Sequence, residues 1–137
     1  MYNKLHLSHV DAMQIVDAIR SELEVGERGA AIAVVDAHGE LLAFLRTDGC
    51  KLPSLNIAIN KAFTAAREGV ESYDLGKASK QEGFPMTNFG DLRYTAWGGG
   101  VPIVVDDEIV GAVGVSGLPE ADDMVLARMG AGLIGNR

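Results

Sequence analysis

Apolar positions recur at helical spacing in four stretches of the chain. The first helix is predicted from about residue 9, because Ser8 and Asp11 resemble a capping box and apolar residues then repeat every three or four positions. A second helix is expected to end at Gly69, and a last helix begins near Glu120 with acids in its first turn, where the helix dipole favours carboxylates. The predicted helices cover about residues 9–24, 55–67, 72–82 and 120–134.

Short apolar runs bounded by turn residues predict five strands. Asp36–Gly39 is typical of a hairpin turn, and the consecutive glycines at 98–100 are expected to form a second tight turn. Strands joined by short turns pair antiparallel, so we expect an α+β fold with helices on the faces of a five-stranded antiparallel sheet. Gly111 and Gly114 are expected to mark close backbone contacts in the last strand. The predicted strands cover residues 30–35, 41–45, 92–97, 101–105 and 109–115.

The composition fits a single domain over residues 1–137 with neither a nucleic-acid nor a membrane partner. The net charge is −7 and no run of Lys or Arg occurs, whereas nucleic acids and anionic membranes require a positive surface. A single cysteine, Cys50, excludes an intramolecular disulfide and Cys-rich zinc modules. No apolar run approaches the roughly 20 residues of a membrane span, and the N-terminus has no secretory apolar region, so we expect a cytoplasmic protein.

One face of the second predicted helix is polar, although it is poor in the Glu and Lys that usually cover a solvated face. Asn and Thr are weaker helix formers, and Ile57 lies inside the polar arc, where exposure to water gives no reason for it. The face is therefore either simply solvated, or it lines a polar pocket or a subunit contact. Lys61 beside it is the first candidate for contacting an anionic substrate group. The arc consists of Asn56, Asn60, Thr64 and Arg67.

The segment that leads into the glycines at 98–100 combines aromatic residues with an arginine. Arg93 offers a planar fork to a carboxylate, and the alternative is an ion pair with Asp91 or Asp107. The glycines form either a turn or bulge without a ligand, or a turn whose exposed amides touch one; a phosphate loop is not expected, because a strand and not a helix follows. Clustered aromatics suggest an apolar wall for a ligand or partner. These aromatics are Phe84, Phe89, Tyr94 and Trp97.

The histidines and the cysteine offer weaker candidates. The three histidines lack the spacing of a zinc site, and His38 is expected in a hairpin turn. His9, at the start of a helix, is either a surface residue or an axial ligand to haem iron. Cys50 has no adjacent histidine in the sequence, so a nucleophile is not expected there.

Five blocks in consistent order resemble the GlcG/HbpS family, which includes the C-terminal domain of PduO-type proteins. The resemblance implies a profilin-like three-layer α/β/α sandwich, a homo-oligomer, and a role often connected with haem. In secreted haem-binding members a Glu-x-x-Glu pair precedes the equivalent of Lys61, whereas this chain has Asn56 and Ile59 there. The blocks are Ala33-Val34-Val35-Asp36-x-x-Gly39, Arg46-x-Asp48-Gly49, Lys61-Ala62-x-Thr64-Ala65, Gly98-Gly99-Gly100-Val101-Pro102-Ile103 and Val110 to Gly117.

We therefore expect one of two functions. In the first, a cytoplasmic homo-oligomer binds haem or another planar or carboxylated metabolite, as an accessory to a catabolic pathway. In the second, a cofactor-independent tautomerase, isomerase or hydratase acts on a small oxo-acid, and Lys61 and Arg93 stabilise the developing negative charge. A third, weaker hypothesis is an assembly factor for a neighbouring enzyme. The expected ligand-binding residues are Asn60, Thr64, Phe89, Tyr94, Trp97, Gly98, Gly99 and Gly100, and no metal ligand is assigned.

Overall fold

Helices flank an antiparallel sheet in the computed structural model, which describes residues 1–136. The four predicted helices are confirmed to within one residue at each end. The α-helices are α1 (His9–Val25), α2 (Ser54–Glu68), α3 (Ser72–Glu82) and α4 (Glu120–Ile134), and the strands are β1 (Ala31–Asp36), β2 (Leu41–Arg46), β3 (Gly100–Val105) and β4 (Glu108–Ser116). A short 3-10 helix spans Met86–Phe89. Within residues 1–136, no helix has both the length and the hydropathy that crossing a bilayer requires.

The sheet has the strand order β2-β1-β4-β3, and each neighbouring pair is antiparallel. Alternate residues of a strand face opposite sides, and β1 is buried on both. Ile32 and Val34 pack in the core that contains α1 and α4, whereas Ala31, Ala33 and Val35 pack against α2. The molecule therefore has three layers, with α1 and α4 on one face of the sheet and α2 on the other.

Helix α2 lies very close to β3 and β4, because alanines on the helix face glycines on the strands. A Cβ at Gly114 would overlap the backbone oxygen of Ala58, and a Cβ at Gly100 would overlap that of Lys61. The predicted close contact at Gly114 is thus confirmed, and Gly111 meets the backbone of Val35 in the same way. This close packing brings the polar end of Lys61 to the end of β4.

The prediction of a fifth strand over residues 92–97 is wrong, and the sheet has four strands. The backbone of this segment is bonded to side chains of two helices and not to a neighbouring strand. Thr95 N–H donates to Thr64 Oγ1 at 3.0 Å, and Ser72 Oγ donates to the backbone oxygen of Trp97 at 2.7 Å. The glycines at 98–100 consequently lead the chain into β3 and do not connect two strands.

Candidate ligand pocket

A pocket of about 440 Å³ opens where the N-terminal half of α2, the end of β4 and the start of α4 meet. Ile57 belongs to its wall, which explains an apolar residue within the polar arc of α2. The turn from β4 into α4 forms much of the floor. The lining residues are Ser54, Ile57, Lys61, Trp97, Ser116, Gly117, Leu118, Glu120 and Asp123.

The centre of the pocket wall is a buried ion pair between α2 and α4. Lys61 Nζ lies 3.2 Å from Asp123 Oδ2, and each side chain is only 3% exposed. Lys61 Nζ also donates to the backbone oxygen of Val115 at 2.9 Å. Because α2 and α4 lie on opposite faces of the sheet, the pair joins the two outer layers beyond the end of β4.

The carboxylate of Asp123 is fixed from both sides. Its Oδ1 accepts the backbone N–H of Leu118 at 3.1 Å, while Oδ2 faces Lys61. Asp123 lies in the first turn of α4, where the helix dipole favours a negative charge. The acid is therefore held in one orientation relative to the amine.

Burial shifts the two pKa values of this pair toward each other. Removal from water lowers the pKa of Lys61, and the negative charges of Asp123 and Glu120 offset that shift only in part. Removal from water likewise raises the pKa of Asp123, against the opposing effects of Lys61 and the Leu118 amide. Transfer of a proton from the amine to the acid is therefore easier here than between the same groups in water.

Gly99 leaves room for the end of Lys61. Its φ is +124°, a conformation that L side chains rarely adopt, and a Cβ at this position would lie 2.9 Å from Lys61 Nζ. The flanking glycines bond to protein, since Gly98 N–H donates to Glu120 Oε2 at 2.8 Å and Gly100 N–H donates to Ser72 Oγ at 2.9 Å. These glycines shape the surroundings of Lys61. The amides of Gly98 and Gly100 donate to protein oxygens and are not free to bind a ligand.

Trp97 stands at the entrance, 61% exposed, and separates the pocket from a second cleft. This cleft has a volume of about 510 Å³ and shares both Trp97 and Glu120 with the first pocket. Lys77 and Lys80 of α3 add positive charge to it. The indole of Trp97 thus lies between the Lys61 pocket, where Asp123 compensates the charge of the lysine, and the second cleft, which contains the exposed Lys77 and Lys80.

Arg93, the second predicted catalytic residue, lies outside the wall of the Lys61 pocket. Its guanidinium is 3.8 Å from the centre of the Phe63 ring and pairs with Asp91 at 3.0 Å and Glu40 at 3.3 Å. The alternative of an ion pair with Asp91 is therefore confirmed. The charge-assisted bonds to Asp91 and Glu40 raise the pKa of Arg93 further. The structure does not bring Lys61 and Arg93 together in one pocket.

The other predicted ligand-binding residues support the segment between α3 and β3. Phe89 and Tyr94 stack with ring centres 4.2 Å apart, and neither contributes to the wall of the Lys61 pocket. Thr64 is fully buried and donates to the backbone oxygen of Asn60 at 2.8 Å while it accepts from Thr95. Thr64 therefore attaches residues 93–95 to α2.

Sequence reasoning missed the acid that pairs with Lys61. The dipole of α4 is by itself a sufficient reason for acids at positions 120 and 123. Nothing local in the sequence relates Asp123 to a lysine 62 positions earlier. Ser54 and Ser116 of the wall had no signal either. Ile57 and the weak helix formers of the arc are the signals that distinguish this face of α2 from a solvated one, and Ile57 lines the pocket.

The histidines are remote from this pocket. His6 and His38 lie near each other, with ring centres 4.7 Å apart, and His9 is exposed at the start of α1. In the part of the chain that the structure describes, no group of three or more His, Cys, Asp or Glu could hold a metal ion. The wall of the Lys61 pocket offers an amine, two carboxylates, two hydroxyls and an indole.

A family model described as haem degrading protein HbpS-like matches residues 7–132. This chain belongs to the HbpS-like family. The protein GlcG of Escherichia coli K12 is 37% identical to this HbpS-like chain over 122 residues, which is 85% of each chain. A 15.0 kDa protein from the dhaT-dhaS intergenic region of Citrobacter freundii is 33% identical over 118 residues, with 83% of this chain and 80% of the relative covered.

Solved structures of HbpS-like proteins share the whole fold. Klebsiella pneumoniae ORFY has a TM-score of 0.91 at 25% identity and covers 98% of this chain and 94% of its own. A double mutant of HbpS from Streptomyces reticuli has a TM-score of 0.88 at 31% identity, with 99% and 92% covered. A complex of PduOC with haem has a TM-score of 0.86 at 25% identity, with 95% and 96% covered. Family membership together with the pocket supports a role in small-ligand binding.

Proposed function

We propose that this HbpS-like protein binds a small carbonyl-bearing molecule in the Lys61 pocket. The observation that carries the proposal is that Lys61, whose side chain is only 3% exposed, lines a cavity of about 440 Å³. Pockets for small molecules are commonly of this size, with apolar walls and a few convergent polar groups. Ile57, Leu118 and Trp97 supply the apolar surface, and the hydroxyls of Ser54 and Ser116 accompany the amine.

The charges in the pocket favour a neutral acceptor over an anion. The positive charge of Lys61 is matched by Asp123, and Glu120 adds a second negative charge to the wall. A carboxylate at the amine would therefore meet two like charges, whereas a carbonyl oxygen accepts an N–H without this repulsion. The sequence suggested an anionic substrate group at Lys61. We propose instead that the group in contact with Lys61 is an uncharged oxygen.

The common axial ligands of haem are absent from the described wall of this pocket. Haem iron in proteins is most often held by His, Cys, Met or Tyr, and none of these residue types is among the described lining residues. A haemin titration of the wild type and of His9→Ala tests the alternative that His9 binds haem. We expect no saturable Soret shift that depends on His9, and a stoichiometric shift lost in His9→Ala would contradict this expectation.

A second candidate function is the cofactor-independent enzyme, and the Lys61–Asp123 contact favours it. The 3.2 Å separation allows a proton to pass directly between the two groups, which general acid–base catalysis on a carbonyl compound requires. Exchange of hydrogens next to the carbonyl of added ketones in heavy water, followed by NMR, tests this activity. Exchange that persists unchanged in Lys61→Met would rule out the pair as its source.

Binding is measured through Trp97, the single tryptophan of the chain. Short aldehydes, ketones and the corresponding carboxylates are titrated while indole fluorescence is recorded. We expect saturable quenching by the carbonyl compounds and weaker quenching by the carboxylates, and we expect Lys61→Met to weaken binding by about tenfold, the loss of one hydrogen bond of about 1.4 kcal/mol.

Two further variants control this titration. Lys51→Met removes an exposed lysine outside the pocket and should leave the curve unchanged. The double variant Lys61→Met with Asp123→Asn removes both charges together, so that loss of binding is not confused with unfolding around a single buried charge. Quenching of equal affinity in all variants, or none by any compound, contradicts the proposed function.

We also propose that the protein is a homo-oligomer, the state that its family resemblance implies. Exposed apolar side chains on the outer helices support this proposal, namely Val10 and Met13 on α1 and Val125 and Leu133 on α4. Light scattering coupled to size exclusion tests it, with Met13→Glu and Val125→Glu as variants that should lower the mass. A monomeric wild type overturns it.

A further inference from the structure

The amine of Lys61 has donor capacity that its protein contacts do not use. An ammonium has three N–H groups, and the contacts of Nζ with described residues are the Val115 oxygen at 2.9 Å and Asp123 Oδ2 at 3.2 Å. Lys61 is also among the residues that line the pocket, so we place a bound carbonyl group at the third N–H.

The surroundings of Nζ suit an uncharged amine as well as an ammonium. Burial lowers the pKa of Lys61 and raises that of Asp123, so both groups are shifted toward their neutral forms. After transfer of one proton, the Val115 oxygen still accepts an N–H of the amine. Buried lysines whose pKa is lowered in this way are the ones that act as nucleophiles toward carbonyl compounds.

We propose that Lys61 forms a covalent imine with an aldehyde or ketone bound in the pocket, with Asp123 as the group that receives and returns the proton. This inference rests on the proposed binding of a carbonyl compound and states which covalent product that compound forms with Lys61. It requires no oxidant, reductant or cofactor, since imine formation is a condensation that releases one water.

The steps balance over these two side chains. The Lys61 ammonium gives a proton to Asp123, which produces a neutral amine and a carboxylic acid. The nitrogen lone pair then forms a bond to the carbonyl carbon, the π electrons move to oxygen, and a proton passes from nitrogen to that oxygen. Finally Asp123 returns its proton to the hydroxyl, the carbon–oxygen bond breaks, water leaves, and the nitrogen lone pair completes a protonated imine beside the restored carboxylate.

The geometry also supplies the space that the reaction needs. A tetrahedral carbon attached to Nζ requires free volume next to the nitrogen. Any residue with a Cβ at position 99 would place that atom only 2.9 Å from Nζ, and glycine has none. Asp123 keeps its position throughout, because its other oxygen remains bonded to the Leu118 amide at 3.1 Å. Asp123 therefore remains in place to compensate the charge of the iminium ion.

The test is trapping with propanal and cyanoborohydride at neutral pH, followed by peptide mapping of every lysine. Burial lowers the pKa of Lys61, so we expect Lys61 to be propylated faster than the exposed Lys51 and Lys77. Lys51→Met should leave the labelling of Lys61 unchanged. The Asp123 carboxylate raises the pKa of Lys61, so Asp123→Asn tests the proton-transfer role and not the pKa. Slower labelling, with propanal still quenching Trp97 fluorescence, supports that role, and equal or faster labelling overturns it.

The readouts separate this inference from the proposed function. If propanal quenches Trp97 fluorescence and Lys61 is labelled no faster than the exposed lysines, the imine is overturned and binding stands. If propanal neither quenches the indole nor labels Lys61 selectively, both are overturned. Lys61→Arg, which keeps the positive charge and lacks the primary amine, should retain the fold by circular dichroism and lose selective labelling at position 61.

Discussion

Lys61 Nζ and Asp123 Oδ2 lie 3.2 Å apart although α2 and α4 pack on opposite faces of the sheet. The pair closes the end of β4, and Val115 at that end provides the second acceptor for the amine. A buried ion pair is costly to break from one side only, because the remaining charge has no partner. The same contact therefore governs both the stability of this end of the molecule and the chemistry of its pocket.

Removal of one partner should be more damaging than removal of both. We expect Asp123→Leu or Lys61→Met to lower the free energy of unfolding by about 3–5 kcal/mol, and the double variant Lys61→Met with Asp123→Leu to lose clearly less than the sum. Urea unfolding followed by circular dichroism measures each value, with Arg20→Met as an exposed ion-pair control. Additive losses would show that the two side chains do not depend on each other.

The contribution of the pair to stability should depend on pH in two separate ranges. Asp123 has a pKa raised above its ordinary 3.8, so the folded state binds its proton more tightly and stability falls as pH rises from about 3.8 to the folded pKa. Lys61 has a pKa lowered below 10.5, so the unfolded state binds its proton more tightly and stability rises with pH from the folded pKa up to 10.5.

The measurement is urea unfolding across this pH range for the wild type and for Lys61→Met with Asp123→Asn. The stability of the wild type relative to the double variant should be lowest between the two ranges and higher on both sides. If the difference in unfolding free energy between the wild type and the double variant does not change with pH, folding shifts the pKa of neither Lys61 nor Asp123.

Gly99→Ala should damage both stability and binding, and Gly90→Ala provides a matched control. Both glycines have positive φ, +124° and +72°, but a Cβ at Gly90 meets no atom within 4 Å, whereas one at Gly99 would lie 2.6 Å from the backbone oxygen of Val115 and 2.9 Å from Lys61 Nζ. We expect Gly90→Ala to lose roughly 1 kcal/mol for its left-handed backbone conformation, and Gly99→Ala to lose clearly more, because its Cβ also meets a backbone oxygen. Only Gly99→Ala should also weaken carbonyl binding, as measured by Trp97 fluorescence.

Ligands that carry a carboxylate in addition to a carbonyl should depend on the second cleft. Lys77 and Lys80 lie beyond Trp97, and a carboxylate directed toward them avoids Asp123. The double variant Lys77→Gln with Lys80→Gln should weaken binding of long oxo-acids by up to about tenfold at low salt and leave ketones unaffected. Equal effects on both ligand types would show that the lysines act on the fold and not on the carboxylate.

The helices were predictable because each depends on local patterns, whereas the three-layer order was an expectation that came from the family resemblance. The capping box at Ser8 and the apolar repeat of α1 are complete within one stretch of sequence. Residues 92–97 misled the prediction, since a short alternating run does not reveal that its partners are the hydroxyls of Thr64 and Ser72. Lys61 and Trp97 were both named from the sequence and both line the pocket. The pairing of Lys61 with Asp123 was not predictable, because it depends on the tertiary packing of distant helices.

The segment that carries Trp97 is attached to the molecule by isolated side-chain bonds, whereas β4 is held by full ladders on both sides. Its opening therefore requires the loss of a few hydrogen bonds and not the unfolding of the sheet. In hydrogen exchange, the amide of Thr95 should consequently exchange by local opening, well before the amides of β4. The entrance of the pocket is thus the part of the molecule best able to admit a ligand while the buried amine stays in place.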